Sequence, residues 1–167
     1  MSGLRSLGRA APSAGLMACL VSLGGCTNQN ATLGVSVIPA PQQAVSFSTH
    51  VRPILAGSAS CTAAGCHGGS AVSANMNLEK IFDPVVGAVD VPSCEAPPLP
   101  RIAPFNSDGS YLIRKLEGSQ ATATCSSCVG WTIAPSCGSM MPLGSNGLSA
   151  SDIKILRDWI DQGAQDN

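Results

Sequence analysis

Cys61-Thr62-Ala63-Ala64-Gly65-Cys66-His67 is the stretch on which the reading of this chain turns. Two thiols followed at once by an imidazole are what covalent haem capture requires. The thiols add across the two vinyl groups of the macrocycle, and the adjacent histidine is then carried under the iron. The usual spacing leaves two residues between the cysteines. Here Thr62, Ala63, Ala64 and Gly65 make four, so the intervening chain must bulge outward, and small residues make that bulge cheap. Two other readings compete for the same residues. In an oxidising compartment Cys61 and Cys66 can pair as a local disulfide beside an idle histidine. A zinc site would need a fourth ligand, and tetrahedral zinc sites usually space their ligands in pairs.

Far downstream, Met140 and Met141 precede Pro142. A thioether is soft and unbranched, so it can reach a metal from a loop that proline stiffens. Met141 is the candidate for a second axial position, with Met140 and His50 as the other contenders. A lone methionine otherwise fills gaps in a core.

Beyond the attachment loop, several segments resemble the class I c-type cytochrome domain. Residues 47–69, FSTHVRPILAGSASCTAAGCHGG, are similar to its opening, a short helix running into the haem loop. Residues 110–118, SYLIRKLEG, then Met141-Pro142, then residues 148–164, LSASDIKILRDWIDQGA, are similar to its middle helix, methionine loop and terminal helix. The likeness covers about residues 46–165, weakly in the middle. It implies an all-α fold of three or more short helices around one haem c, with a long Cys- and Pro-rich loop insert. It also implies that Cys61 and Cys66 hold the macrocycle, that His67 is the proximal ligand and Met141 the distal one, and that residues 153–160 pack on the first helix. The four-residue spacing departs from the commonest family pattern.

Arg5 and Arg9 precede an apolar run over residues 10–23 that is too short to span a bilayer. It reads as a signal peptide over residues 1–25. Gly24 and Gly25 before Cys26 resemble a bacterial lipoprotein cleavage site, where Cys26 would receive lipid; ordinary cleavage leaving a free Cys26 is the alternative. More than one acyl chain gives a stable anchor. Cys19 lies in the removed segment. Residues 26–45 then read as the lipidated cysteine and a flexible tether, with a reach of about 25 Å, although residues 35–38 could add a short strand to something. Residues 46–167 form the expected domain. Losing Arg5 and Arg9 leaves seven basic residues against ten acidic, a net charge of −3. No basic run provides a nucleic-acid footprint.

Six aromatics, Phe47, Phe82, Phe105, Tyr111, Trp131 and Trp159, make a thin core. A bound porphyrin would supply the missing apolar plate, and the haem-free chain is expected to be partly unfolded. Ser149 with Asp152 resembles a capping box, predicting a helix over 151–162 that Gly163 ends. Ile153, Leu156, Trp159 and Ile160 form its inward stripe. Asp108 or Ser110 is expected to cap a helix over 111–116 closed by Gly118, with Leu112 and Leu116 inward. In the first helix Ser48 or Thr49 is the expected cap, and Pro53 removes a donor.

Between Leu78 and Gly138 there is little period, but four cysteines, Cys94, Cys125, Cys128 and Cys137. They most simply form two disulfides in one of three connectivities. A four-cysteine metal site would require those thiols to escape oxidation, and the pair at 125 and 128 lacks the strand and helix context of a dithiol redox site. No histidine follows Cys128, which argues against a second haem.

The function expected is a membrane-tethered monohaem cytochrome that carries single electrons between redox partner proteins outside the cytoplasm, facing the periplasm or the cell exterior. It would be an electron carrier rather than a catalyst with its own substrate. The alternative is a haem-free, disulfide-stapled surface lipoprotein with a binding or structural role. A haem peroxidase or thiol oxidoreductase is weaker, because no acid–base or nucleophile constellation accompanies these residues.

Overall fold

Among the described residues, three helical segments and two short single turns, Ser73–Asn75 and Gln120–Thr122, are joined by long stretches of irregular backbone, and helices and connections share the buried core. The computed structural model describes residues 42–70, 72–126, 128 and 137–167. The expected signal peptide, the lipidation site Cys26, most of the tether and Trp131 lie outside them. Among the described residues there is no strand, only isolated bridges such as Val89 with Ile102, so the described chain is helical. No helix among these residues is long and apolar enough to cross a membrane.

The first segment comprises two wide turns, Phe47–Val51 and Ile54–Ser58, joined through Arg52 and Pro53. Pro53 offers no N–H, and the hydrogen bonds around it reach back five residues, from Arg52 to Phe47 and from Ala59 to Ile54. The buried positions Phe47, Val51, Ile54, Leu55 and Ala59 still recur at helical intervals along one face. Neither Ser48 nor Thr49 caps this segment. Ser46 does, its Oγ accepting the Thr49 N–H at 3.4 Å. The start is held further by Asn167, whose side-chain oxygen accepts the Phe47 N–H at 2.8 Å and whose backbone oxygen accepts the Ser48 N–H at 2.9 Å.

Helix α1, Tyr111–Glu117, ends where Gly118 turns left-handed (φ 73°) and bonds back to Arg114. Its N-terminus has no side-chain cap. The Ser110 hydroxyl instead accepts the Ala103 N–H and donates to the Asn106 carbonyl, while Asp108 pairs with Arg157. Helix α2, Ala150–Asp161, begins on Ser149, whose Oγ accepts the Asp152 N–H at 3.1 Å. It buries Leu156, Trp159 and Ile160, and Gly163 follows at φ 103°.

Helix α2 packs on both the first segment and α1. Trp159 is the centre of that contact, with its ring 5.5 Å from Phe47 and 6.3 Å from Phe82; Phe47 meets Phe82 edge-on at 5.0 Å. The Trp159 indole N–H donates to the Gln165 carbonyl, so this buried donor is satisfied. Residues 42–45 also lie against α2. The Val45 N–H reaches the Gln162 side chain, and Gln162 in turn donates to the Gln43 carbonyl.

The connection from residue 76 to 110 lacks helical period because its backbone groups pair between loops. Asp90 bonds to Ile102, Arg101 to Val91, and Ile102 to Ala88. Leu78, Ile81, Ala88 and Ile102 thereby join the same apolar cluster as the helices.

Candidate functional site

The loop carrying Cys61, Cys66 and His67 closes on itself. The His67 N–H returns to the Cys61 carbonyl at 3.0 Å, and the Cys66 N–H makes a tight turn to the Ala63 carbonyl. Gly65 takes φ 81° at the tip of the bulge, where a side chain would be strained. Gly68 allows the closure for a different reason. A Cβ there would stand 1.9 Å from the Thr62 carbonyl oxygen, so only glycine lets the two backbones approach this closely.

Cys61 and Cys66 are both free thiols, half-buried and exposed respectively. Burial, assisted by the neighbouring Cys66, pushes the Cys61 pKa up to about 11, so it is a neutral thiol near pH 7. The four remaining described cysteines pair as Cys94–Cys128 and Cys125–Cys137. Among the described residues no three His, Cys, Asp or Glu side chains converge as a metal-holding group.

His67 is held on two sides by the segment that follows. Its Nδ1 lies 3.3 Å from the Met76 carbonyl, and its own carbonyl accepts the Leu78 N–H at 2.7 Å. A carbonyl can only accept, so Nδ1 carries the proton and Nε2 keeps its lone pair. Burial lowers the His67 pKa, outweighing the hydrogen bonds to Met76 and Ser73 that raise it. The ring is therefore a neutral imidazole whose proton sits on Nδ1. His50 is arranged the other way. Its Nδ1 accepts the Ser46 N–H at 3.0 Å, which puts the proton of the neutral ring on Nε2 and leaves no lone pair to offer a metal. Its task here is to tie the start of the first helical segment.

The two methionines also separate. Met140 places its sulfur beside Gly118, 3.1 Å from where a Cβ would stand, and its methyl near Gly147. Met141 is half-buried against the central apolar cluster, as is Cys61, and its N–H bonds to the Lys115 carbonyl of α1 at 2.8 Å. Lys115 thus touches the methionine segment through its backbone, and its ammonium reaches Glu95 and the Cys137 carbonyl, each at 3.0 Å. Glu95 and Lys115 also lie close enough to His67 to act on it with opposite sign. The structure therefore brings Cys61, Cys66 and His67 together in one loop. It seats Met141 on the same core and places the Glu95–Lys115 pair near both.

Sequence reasoning missed that ion pair, together with Arg101, a buried guanidinium that among the described residues donates to three carbonyls, those of Gly87, Ala74 and Asn75. One signal was available for Lys115. It falls one helical turn after Tyr111, on the buried side of α1. Comparison of the chain with protein-family models, with curated proteins and with solved structures finds no match.

Proposed function

We propose that this protein is a monohaem c-type cytochrome, tethered to a bacterial membrane through lipid on Cys26, that passes single electrons between redox partners outside the cytoplasm. The observation that carries the reading is the state of His67, a neutral imidazole locked through Nδ1 to a backbone carbonyl, next to two unpaired thiols in a loop closed by Gly68. Metal-ligating histidines are usually oriented by such a bond on the second ring nitrogen. The donor set fits a covalently held haem. Cys61 and Cys66 would hold the macrocycle through two thioether links, additions that need no oxidant. His67 offers Nε2, and Met141 offers a thioether from the apolar cluster that Cys61 also borders.

When bound, the group would supply a one-electron couple, with a potential that a histidine and a methionine ligand together raise. The chain's part is to fix the imidazole's tautomer and direction and to hold the methionine segment in place. The two disulfides agree with an oxidising compartment. They serve equally well a haem-free, stapled surface lipoprotein, so the readings part at Cys61 and Cys66.

Expression in a host with haem-attachment machinery provides the test. The protein should be red, with colour and added mass that survive denaturation and are lost in a Cys61→Ser, Cys66→Ser double variant. A colourless product in which Cys61 is bonded to Cys66 would overturn the proposal.

A further inference from the structure

We propose that Arg101 is a positioning residue for the His67 imidazole, acting through the turn at Ala74 and Asn75. The inference rests on the reading of His67 as an axial ligand and deepens it. Arg101 is almost fully buried and is mounted rigidly, its N–H bonded to the Val91 carbonyl and its own carbonyl accepting the Leu112 N–H at the start of α1. Its guanidinium ties two loops together. Nη1 donates to the Gly87 carbonyl, while Nη2 donates to the carbonyls of Ala74 and Asn75, both at 3.2 Å.

Those two residues are the strained part of the device. Ala74 (φ 53°) and Asn75 (φ 51°) are consecutive left-handed residues, a conformation that is unfavourable for an alanine and rarely occurs twice in succession. A planar fork with several fixed donors is suited to hold two neighbouring carbonyls on one side; a lysine ammonium would meet them as a point charge. The next residue, Met76, presents the carbonyl that takes the His67 Nδ1 proton. Arg101 therefore sets, from behind the turn, the acceptor that selects the tautomer and aim of the imidazole. Without that fork the turn relaxes toward right-handed backbone, the Met76 carbonyl moves away, and Nδ1 loses its partner. A ligating imidazole that no longer donates is a poorer electron donor through Nε2, so the potential of the loaded protein rises.

The test uses the full chain labelled with ¹⁵N-histidine and reads solvent exchange of the His67 Nδ1 proton, which can be followed in the protein with or without haem in the diamagnetic state. The wild type should show one Nδ1–H tautomer with slow exchange. Arg101→Lys, which keeps a buried cation, should speed that exchange by about tenfold or more. Adding Ala74→Gly, to which the left-handed turn is natural, should restore slow exchange. Exchange within about twofold of wild type in folded Arg101→Lys would overturn the proposal. If Arg101→Lys does not fold, the double variant decides. Recovery of the fold supports the turn as what Arg101 holds, and continued unfolding refutes it. Colourless protein that follows the expected exchange pattern would sink the haem reading alone. Red protein whose exchange ignores Arg101 would sink this inference alone.

Discussion

Replacing Lys115 by methionine should destabilise this domain more than any exposed charge change, and the structure allows the size to be worked out. The side chains of Lys115 and Glu95 are only 8% and 14% exposed, with N–O at 3.0 Å. The same ammonium donates to the Cys137 carbonyl and stands 5.8 Å over the Tyr111 ring. Methionine has nearly the same length and fills the same space, so the cavity contribution is small. What remains is an uncompensated carboxylate in a water-poor site, a loss of about 3–5 kcal/mol. Against a total stability of about 5–15 kcal/mol for an ordinary domain, that is a large fraction. In a Glu95→Gln background the change strands no carboxylate. The same Lys115→Met change should then cost at most about 1.5–3 kcal/mol, the worth of a hydrogen bond from a charged donor, because it also removes an ammonium that Gln in place of Glu95 leaves without its counter-charge. Urea unfolding of wild type, both single variants and the double variant, with the disulfides intact, closes the cycle. Coupling above about 1 kcal/mol is expected, and additivity within about 0.5 kcal/mol would show that the pair is not a buried unit.

Three further outcomes follow from the site. Met141→Ala in the haem-loaded protein should abolish the sulfur-to-iron charge-transfer band while covalent haem remains, and Met140→Ala should keep the band; the reverse pattern would move the ligand to Met140. Gly68→Ala must push the chain off the Thr62 carbonyl that its Cβ would meet at 1.9 Å, so urea unfolding should show a loss of about 1–3 kcal/mol, with a fall in the yield of attached haem. In haem-free protein with disulfides intact, the raised pKa of Cys61, about 11, leaves the thiolate scarce throughout the neutral range. Its alkylation rate, followed by peptide mapping, should keep climbing about tenfold per pH unit up to pH 10, and a plateau near pH 9 would contradict the burial argument.

What could be read in the chain was what is local. The box of Ser149 and Asp152 and the glycine at 163 mark α2 because a cap and its partner lie within one turn of each other, and the observed Ala150–Asp161 lies one residue from the expected span. Gly118 marks the end of α1 for the same reason. The first helical segment is different. Ser46, Ser48 and Thr49 are equivalent as local caps, and the choice of Ser46 depends on Asn167, which meets this turn only in the folded chain. The site divides along the same line. Cys61, Cys66 and His67 adjoin in sequence and announce themselves. The opposite tautomers of His50 and His67, by contrast, are decided by which backbone group each ring happens to face, a matter of tertiary geometry. Arg101 was invisible for that reason too, since its side-chain partners among the described residues are carbonyls, which every residue has.

The long irregular connection between the helices shows how a chain positions a residue without regular structure. Cys125 and Cys128 lie three apart yet belong to different disulfides, one reaching back to Cys94 and the other forward to Cys137. The closed loops span 34 and 12 residues, and each cross-link of this size removes denatured-state freedom worth about 3–4 kcal/mol. Their far ends are not arbitrary. Cys94 adjoins Glu95, the partner of Lys115, and the Cys137 carbonyl accepts both Lys115 and the Tyr111 hydroxyl. Both covalent ties therefore end against one face of α1, and the chain leaving Cys137 reaches Met141 within a few residues, where its N–H meets the Lys115 carbonyl. The methionine is thus fixed by α1 and the cross-links rather than by a helix of its own. Its seat should consequently be more sensitive to reduction of Cys125–Cys137 than the packing of Trp159 on Phe47, which draws on none of these ties.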